Sequence, residues 1–89
     1  MTSRITARFR AAFKKLPADV QRRARKAFAL WSQNPSHPSL RFKQVHAERA
    51  VYSVRLGLGW RALAVKHGEE VLWFWIGSHA DYDRLLDQL

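Results

Sequence analysis

The second half of the chain contains three runs rich in β-branched and aromatic residues, VYSVRL, WRALAV and VLWFWI. The first two runs are separated by GLG and the last two by HGEE. Connections this short are typical of β-hairpins, in which consecutive strands lie side by side and run in opposite directions. The spacing therefore predicts two consecutive hairpins, which together form a three-stranded antiparallel meander.

The first half of the chain carries its apolar residues at helical spacing. From Ile5 onward they recur with the period of one helical face, which predicts a basic amphipathic helix over residues 4–15. Pro17 ends this helix, and Pro17 together with Asp19 suits the first turn of a second helix. The second helix is predicted to end before Asn34, because the residue ahead of a proline disfavours the α conformation. Its buried stripe is predicted to consist of Val20, Ala24, Ala27, Phe28 and Trp31.

Two shorter segments complete the predicted fold. The segment SLRFKQV alternates apolar and basic residues and is predicted to be extended, whereas HADYDRLLDQL has helical spacing and is predicted to form a closing helix. The helical pair and the sheet each have an apolar face, so the two layers should bury each other. We therefore expect residues 1–89 to form one α+β domain, with an N-terminal helical hairpin packed on an antiparallel sheet of three to four strands and a short C-terminal helix. The predicted core consists of Phe9, Phe13, Phe28, Trp31, Phe42, Trp60 and one face of the last strand.

The balance of charges narrows the classes of function. Sixteen Lys and Arg residues against seven Asp and Glu residues give a formal charge of +9, which favours an anionic partner such as a nucleic acid. The chain has no cysteine and its four histidines show no tight ligand spacing, so neither a metal site nor a cofactor is expected. No long apolar run is present, and we expect a cytoplasmic protein without membrane contact.

The first predicted hairpin places two arginines opposite each other. If GLG is a three-residue turn, Arg55 lies directly across from Arg61 on one face of the sheet. Like charges in this arrangement lower stability, so packing alone does not explain the pair. Either both side chains stay in solvent or pair with a carboxylate such as that of Asp83, or they clamp a phosphate through their planar, bidentate donors.

The last run leads into GSHADYD, which places titratable groups directly behind the most hydrophobic strand. His79 and Tyr82 should emerge at the mouth of the sheet, where an imidazole can act as acid or base; alternatively, His79 caps the closing helix and Tyr82 packs its ring. Within the strand, Trp73 and Trp75 are predicted to share one face, with Phe74 on the other. The two indoles then form either a stacking surface for bases beside the arginines or part of the core.

Further basic residues are candidates for contact with a polyanion. Lys43 and His46 precede the meander and either reach the same face as the arginines or lie in a solvated loop. The second helix contributes Arg22, Arg25 and Lys26. In the simplest interpretation these three belong to a solvated helix face, whereas the overall excess of positive charge favours their contact with a polyanion.

The order of these motifs resembles the RelE/ParE superfamily of bacterial toxins from type II toxin–antitoxin systems. The resemblance covers nearly the whole chain, from LPADVQRRARKAF and NPSHPSLRFKQV through VYSVRLG and GWRALAV to WFWIGSHADYDRLL. It implies a small basic toxin that in many members enters the ribosomal A site and cuts mRNA, and that a cognate antitoxin holds inactive. Other members of the superfamily poison DNA gyrase instead.

The resemblance also implies roles for individual residues. Arg61 matches the arginine at the start of the middle strand, which stabilises the phosphate undergoing cleavage, and Arg55 falls where ribonuclease members carry a basic residue. His79 and Tyr82 match positions with suggested parts in proton transfer and base stacking. The chain departs from the family pattern at Ser53, where some ribonuclease members carry lysine, and the family's first strand is not evident in MTSRIT.

Our first expectation is therefore a metal-independent, ribosome-dependent mRNA endonuclease. Cleavage by the RNA's own 2′-OH requires cations around the developing negative charge, a base near that hydroxyl and an acid for the leaving 5′ oxygen. Arg55 and Arg61 would supply the charge, His79 the acid or base, and Lys43 or His46 a second participant. The alternatives are a gyrase inhibitor that binds without catalysis and a plain nucleic-acid-binding module. A cognate antitoxin is expected to bind the basic and apolar surfaces of the toxin through a segment that carries acidic residues.

Overall fold

The computed structural model describes residues 2–57 and 59–88, and within them five strands form one mixed sheet. The order across the sheet is β1-β5-β4-β3-β2, and β3, β4 and β5 form the predicted antiparallel meander. The predicted extended segment contributes only a short edge strand, β2. The strands are β1 (Thr2–Ile5), β2 (Lys43–Gln44), β3 (Val51–Arg55), β4 (Trp60–His67) and β5 (Glu70–Ser78).

Helices cover the sheet as the apolar patterns predicted, which confirms the α+β class, the N-terminal helical hairpin and the closing helix. Pro17 is the N-cap residue of the second helix, and Asp19 lies in its first turn. The side-chain amide of Gln21 donates to the backbone oxygens of Lys14 and Leu16, at 3.2 and 3.0 Å, and so ties the two helices of the hairpin together. The helices are α1 (Ala7–Lys14), α2 (Ala18–Gln33) and α3 (His79–Gln88), with a 3₁₀ turn (Pro38–Leu40) between α2 and β2.

The N-terminus corrects two predictions: the first helix begins at Ala7 rather than at residue 4, and the sheet has five strands rather than three to four. Thr2–Ile5 pairs with β5 in parallel, so the sheet is not purely antiparallel. The hydroxyl of Thr6 accepts the backbone N–H of Phe9 at 3.0 Å and caps α1. All four side chains of β1 are exposed, so the strand carries no apolar alternation that a sequence pattern could reveal.

The core between the hairpin and the sheet contains the predicted residues. Phe9 and Trp31 are buried, and the other predicted aromatic residues of the core are partly buried and pack against them. The indole of Trp73, from β5, lies at the centre, with ring centroids 5.2 Å from Trp31 and 5.0 Å from Phe28 in edge-to-face geometry. Such aromatic pairs add about 0.5–1.5 kcal/mol to the free energy gained by burial of their area.

A β-bulge at Phe74 corrects the predicted alternation of the last strand. Leu63 pairs with Trp75 and Ala64 pairs with Trp73, so Phe74 has no partner of its own in the register. Trp73 therefore belongs to the core beneath the hairpin, while Trp75 packs with Leu63 on the opposite face. The two indoles do not share a face, and one of them is core while the other lies on the side of the sheet that α3 covers.

The second face of the sheet, which we call the α3 face, bears Ser53, Arg55, Arg61, Leu63 and Trp75. Val54 and Leu56 lie in the core beneath the hairpin, so the alternating residues Ser53 and Arg55 point to the opposite side. Helix α3 covers part of this face: Tyr82 is buried there against Leu63. The sheet is thus covered by the hairpin on one face and partly by α3 on the other.

Candidate anion-binding site

The arginine pair has the geometry that the turn predicted. Arg55 is the register partner of Arg61, and Arg61 is in turn the partner of Gly77 on β5. The backbone N–H of Leu56 donates to Trp60 at 3.1 Å and closes the hairpin. Gly77 has no side chain, and the ring of Trp75 occupies the space beside it, where an added Cβ would lie 2.7 Å from the ring. Arg55 and Arg61 therefore lie side by side on the α3 face, in a row that ends at the Trp75 ring.

Both arginines are held by backbone carbonyl groups of the hairpin turn. Nη1 of Arg61 donates to the carbonyl oxygens of Gly57 and Trp60, at 3.1 and 2.8 Å. Nε of Arg55 donates to the same Gly57 oxygen, at 3.4 Å. Among the residues that the structure describes, neither arginine forms an ion pair with a carboxylate. Backbone oxygens of the turn, rather than a carboxylate, therefore hold the pair.

The surroundings of Arg61 disfavour its charged form. Its pKa is lowered first by partial burial of the guanidinium group and next by the charge of Arg55, while Tyr82 and Asp83 raise it. An arginine remains protonated in proteins, so the lowered pKa indicates a cation that is incompletely stabilised by its surroundings. An anion placed between the two guanidinium groups would offset that cost.

Helix α3 brings His79 to the same end of the sheet. The backbone N–H of His79 donates to Gly59 at 2.8 Å, which fixes the start of α3 beside the arginine hairpin. Nδ1 of the ring faces a carboxylate oxygen of Asp83 at 3.0 Å, and the His79 side chain is 46% exposed. This contact orients the imidazole and leaves Nε2 for a ligand.

Tyr82 lies beneath His79 rather than in solvent. Its residue is 7% exposed, and its hydroxyl donates to Ser53 at 3.2 Å. The Tyr82 ring lies 6.0 Å from the ring of His79 and 6.5 Å from that of Trp75. This burial leaves little of the ring for stacking on a base, and it favours a positioning part for Tyr82 in the support of α3.

Lys43 lies on the same face as the arginine pair, whereas the His46 ring forms hydrogen bonds within a local turn. Lys43 is exposed and is the register partner of Ser53, which places it on the α3 face one row from the arginine pair. Nδ1 of His46 accepts the backbone N–H groups of Glu48 and Arg49, both at 3.2 Å. The His46 ring therefore stabilises the turn that follows β2.

The predicted basic residues of α2 lie on the other side of the sheet. Arg22, Arg25 and Lys26 are exposed, and the guanidinium of Arg25 lies 5.1 Å from the ring centroid of Phe13. Lys26 lines a cleft of about 620 Å³ that reaches Arg55, with a floor of aliphatic side chains. The site thus combines Arg55, Arg61, His79, Tyr82 and Lys43, with Lys26 at the edge of an adjoining cleft.

One basic residue near the site was not predicted. The charge of Arg41 lowers the pKa of Arg61, so the two guanidinium groups lie within electrostatic reach of each other. In the sequence, Arg41 is simply one basic residue in an alternating segment. Its place depends on an irregular backbone conformation after the 3₁₀ turn, which apolar periodicity does not encode.

Comparison with known proteins assigns the family. Residues 18–84 match the family model described as the ParE-like toxin domain. The chain therefore belongs to the ParE-like toxin domain family. No curated protein sequence matches the chain.

Solved structures of RelE toxins share the fold at low sequence identity. The RelB–RelE antitoxin–toxin complex from Methanococcus jannaschii contains a chain with 16% identity and a TM-score of 0.70, over 90% of this chain and 95% of the other. A chain of the toxin–antitoxin complex RelBE2 from Mycobacterium tuberculosis has 23% identity and a TM-score of 0.69, and the match covers 88% of this chain and 96% of the other. The isolated Escherichia coli RelE toxin has 14% identity and a TM-score of 0.66, and the match covers 99% of this chain and 98% of the other. Across residues 2–57 and 59–88, no helix has the length and apolar character needed to cross a membrane.

Proposed function

We propose that this toxin is an mRNA endonuclease that acts on the ribosome and needs no metal ion. The observation that carries the proposal is the pair Arg55 and Arg61, two facing guanidinium groups without a carboxylate partner among the described residues. Two planar, always-charged donors at one point match the tetrahedral oxygens of a phosphodiester. A pair selected for stability alone would not place like charges directly opposite on a sheet.

The proposed reaction uses the RNA's own 2′-hydroxyl as nucleophile. The 2′ oxygen loses its proton and bonds to the adjacent phosphorus, the bond from phosphorus to the 5′ oxygen breaks, and that oxygen gains a proton. The products are a 2′,3′-cyclic phosphate and a free 5′-hydroxyl. Arg55 and Arg61 stabilise the negative charge that grows on the non-bridging oxygens, a contribution of about 3 kcal/mol for one well-placed donor.

His79 is the proposed proton-transfer group. Asp83 holds Nδ1, so Nε2 is the nitrogen that meets the substrate and gives or takes a proton. Tyr82 positions the start of α3 beneath the imidazole through its hydrogen bond to Ser53. Lys43, on the row next to the arginines, is the proposed second participant on the α3 face.

A cognate antitoxin is the proposed protein partner. Several solved structures with this fold are complexes of a RelE toxin with a RelB antitoxin, including those from Methanococcus jannaschii and Mycobacterium tuberculosis. On this chain, the cleft lined by Arg23, Lys26 and Arg55 combines basic side chains with an aliphatic floor. Such a surface suits a segment that carries acidic and apolar residues.

The test is induced expression of the wild type, Arg61→Ala and His79→Gln in bacteria, with mapping of mRNA 5′ ends in the same cells. We expect growth arrest and new 5′ ends within translated regions for the wild type, and loss of both in the two variants. Arg10→Ala is the matched control, because Arg10 is exposed on α1, away from the site. New ends that persist in Arg61→Ala would contradict the proposal.

Inhibition of DNA gyrase by binding is the competing proposal. Ser53 favours it, because this position carries lysine in some ribonuclease members and here serves to bind Tyr82. This function has no need of a proton-transfer group. Growth arrest with DNA breaks, without new mRNA ends and unchanged by His79→Gln, would establish it in place of the endonuclease.

A further inference from the structure

Arg41 has a backbone conformation that its side chain disfavours. Its φ and ψ are 46° and 42°, in the left-handed helical region. Among residues 2–57 and 59–88 it is the only residue other than glycine with a positive φ. Glycine or asparagine adopts this conformation at lower cost, since the Cβ of other residues approaches a backbone carbonyl. The turn alone therefore does not account for an arginine at this position.

The residues on either side hold Arg41 in this conformation. Leu40 is 2% exposed in the core, and Phe42 packs against Trp31 with ring centroids 5.6 Å apart. The backbone N–H of Arg41 donates to Pro38 at 3.3 Å and ends the 3₁₀ turn. Because Leu40 and Phe42 are packed in the core, the backbone of Arg41 is held in place, and its side chain extends into solvent.

Arg41 lies near the arginine pair. Arg41 lies two residues before Lys43, the register partner of Ser53, and Arg55 lies two residues after Ser53 on the neighbouring strand. Leu40 and Arg55 line the same cleft. The charge of Arg41 also acts on Arg61. Three guanidinium groups from three separate segments therefore share one region of the surface.

A single phosphodiester does not need all three groups. It has two non-bridging oxygens, and the bidentate donors of Arg55 and Arg61 can satisfy both. We propose that Arg41 binds a second phosphate, adjacent to the one held by Arg55 and Arg61. The ligand of this site is then a single-stranded nucleic acid with at least two consecutive phosphodiesters. This inference rests on the proposed function and specifies its substrate.

The experiment measures binding of a single-stranded RNA hexanucleotide, with 2′-O-methyl groups to prevent cleavage, over a range of salt concentrations. The purified variants are Arg41→Gly, Arg41→Asn, Arg41→Lys and Arg61→Ala, with Arg10→Gln as the matched loss of charge on α1. For Arg41→Gly and Arg41→Asn, we expect affinity about tenfold lower than that of the wild type, as for one lost charge-assisted contact. The slope of log affinity against log salt should fall by about 0.7.

The controls separate a binding role from a structural one. Glycine and asparagine both suit the left-handed conformation, so these variants should unfold at the same denaturant concentration as the wild type or a higher one. Arg41→Lys should retain the salt slope, and Arg10→Gln should retain the affinity. If Arg41→Gly keeps the affinity and salt slope of the wild type while Arg61→Ala binds more weakly, the inference about Arg41 is wrong and the proposed function still stands. Unchanged binding in Arg61→Ala as well would also remove the anion site on which the proposed function depends.

Discussion

Arg55 and Arg61 lower the stability of the sheet that presents them. Like charges directly opposite on neighbouring strands cost a few tenths of a kcal/mol to about 1 kcal/mol. Partial burial of Arg61 adds to that cost, as its lowered pKa indicates. The carbonyl oxygen of Gly57 accepts hydrogen bonds from both side chains and offsets part of the repulsion. A bound phosphate would relieve the rest, so a ligand of this site should raise the free energy of unfolding.

The hydrogen bond between Tyr82 and Ser53 gives a prediction for stability. Removal of either partner, by Tyr82→Phe or Ser53→Ala, should each cost about 1–2 kcal/mol, because both residues are buried and the second change leaves a hydroxyl without a partner. The double variant should cost less than the sum of the two. Urea unfolding of the four proteins measures this coupling, and additive losses would show that the bond contributes nothing.

The sequence predicted the arginine pair but not Arg41, for a physical reason. Strand residues alternate with a period of two and a three-residue turn fixes the register, so the partner of Arg55 follows from counting. Arg41 lies outside any strand, and its direction depends on a single left-handed residue. Side-chain patterns contain no information about such a conformation unless the residue is glycine or asparagine.

At the scale of elements, two features escaped prediction because they involve backbone rather than side chains. Strand β1 exposes all its side chains and is held by backbone hydrogen bonds, such as that from the N–H of Thr2 to the carbonyl oxygen of Glu69 at 2.8 Å. The bulge at Phe74 inserts one residue without any glycine or proline to mark it. The helices and the meander were predictable because their apolar patterns are strong.

The penultimate residue of the bulged strand is a glycine, Gly77, whose replacement should lower stability. A Cβ added at Gly77 would lie 2.7 and 2.8 Å from two atoms of the Trp75 ring, so the ring must move. Gly77→Ala should therefore lower the free energy of unfolding by about 1–3 kcal/mol and lower cleavage, since Trp75 packs against Tyr82. Denaturant unfolding and the mRNA 5′-end assay would measure the two effects.

Gly59→Ala is the matched control for Gly77→Ala. A Cβ at Gly59 would meet no atom within 4 Å, so its stability should stay within about 0.5 kcal/mol of the wild type. Equal losses for the two alanine variants would mean that glycine flexibility, rather than the contact with Trp75, determines the effect.

At the scale of the whole molecule, positive charge lies on both layers. The formal charge is +9, with the proposed catalytic groups on the α3 face and Arg22, Arg25 and Lys26 on the opposite helical layer. This distribution would attract RNA from several directions without sequence preference. Any preference for a particular RNA sequence would then come from the candidate site on the α3 face.

The helical layer can be tested apart from the site. The double variant Arg22→Gln/Lys26→Gln should bind ribosomes more weakly, with a salt slope lower by up to about 1.4, because two phosphate contacts are lost. The positions of the mRNA 5′ ends should not change. Sedimentation with ribosomes at several salt concentrations measures the slope, and Arg22→Lys/Lys26→Arg, which keeps the charge, is the control. An unchanged slope would confine RNA contact to the α3 face.

The position of β5 in the sheet has a consequence for the synthesis of the toxin. The last strand in the sequence lies between β1 and β4, and it supplies the Trp73 ring around which the hairpin packs. A nascent chain that has emerged only as far as His67 lacks both the neighbour of β1 and the centre of the core. Its fold is completed only when β5 and the following helix α3, which carries His79, are free, so the candidate site forms only near the end of synthesis.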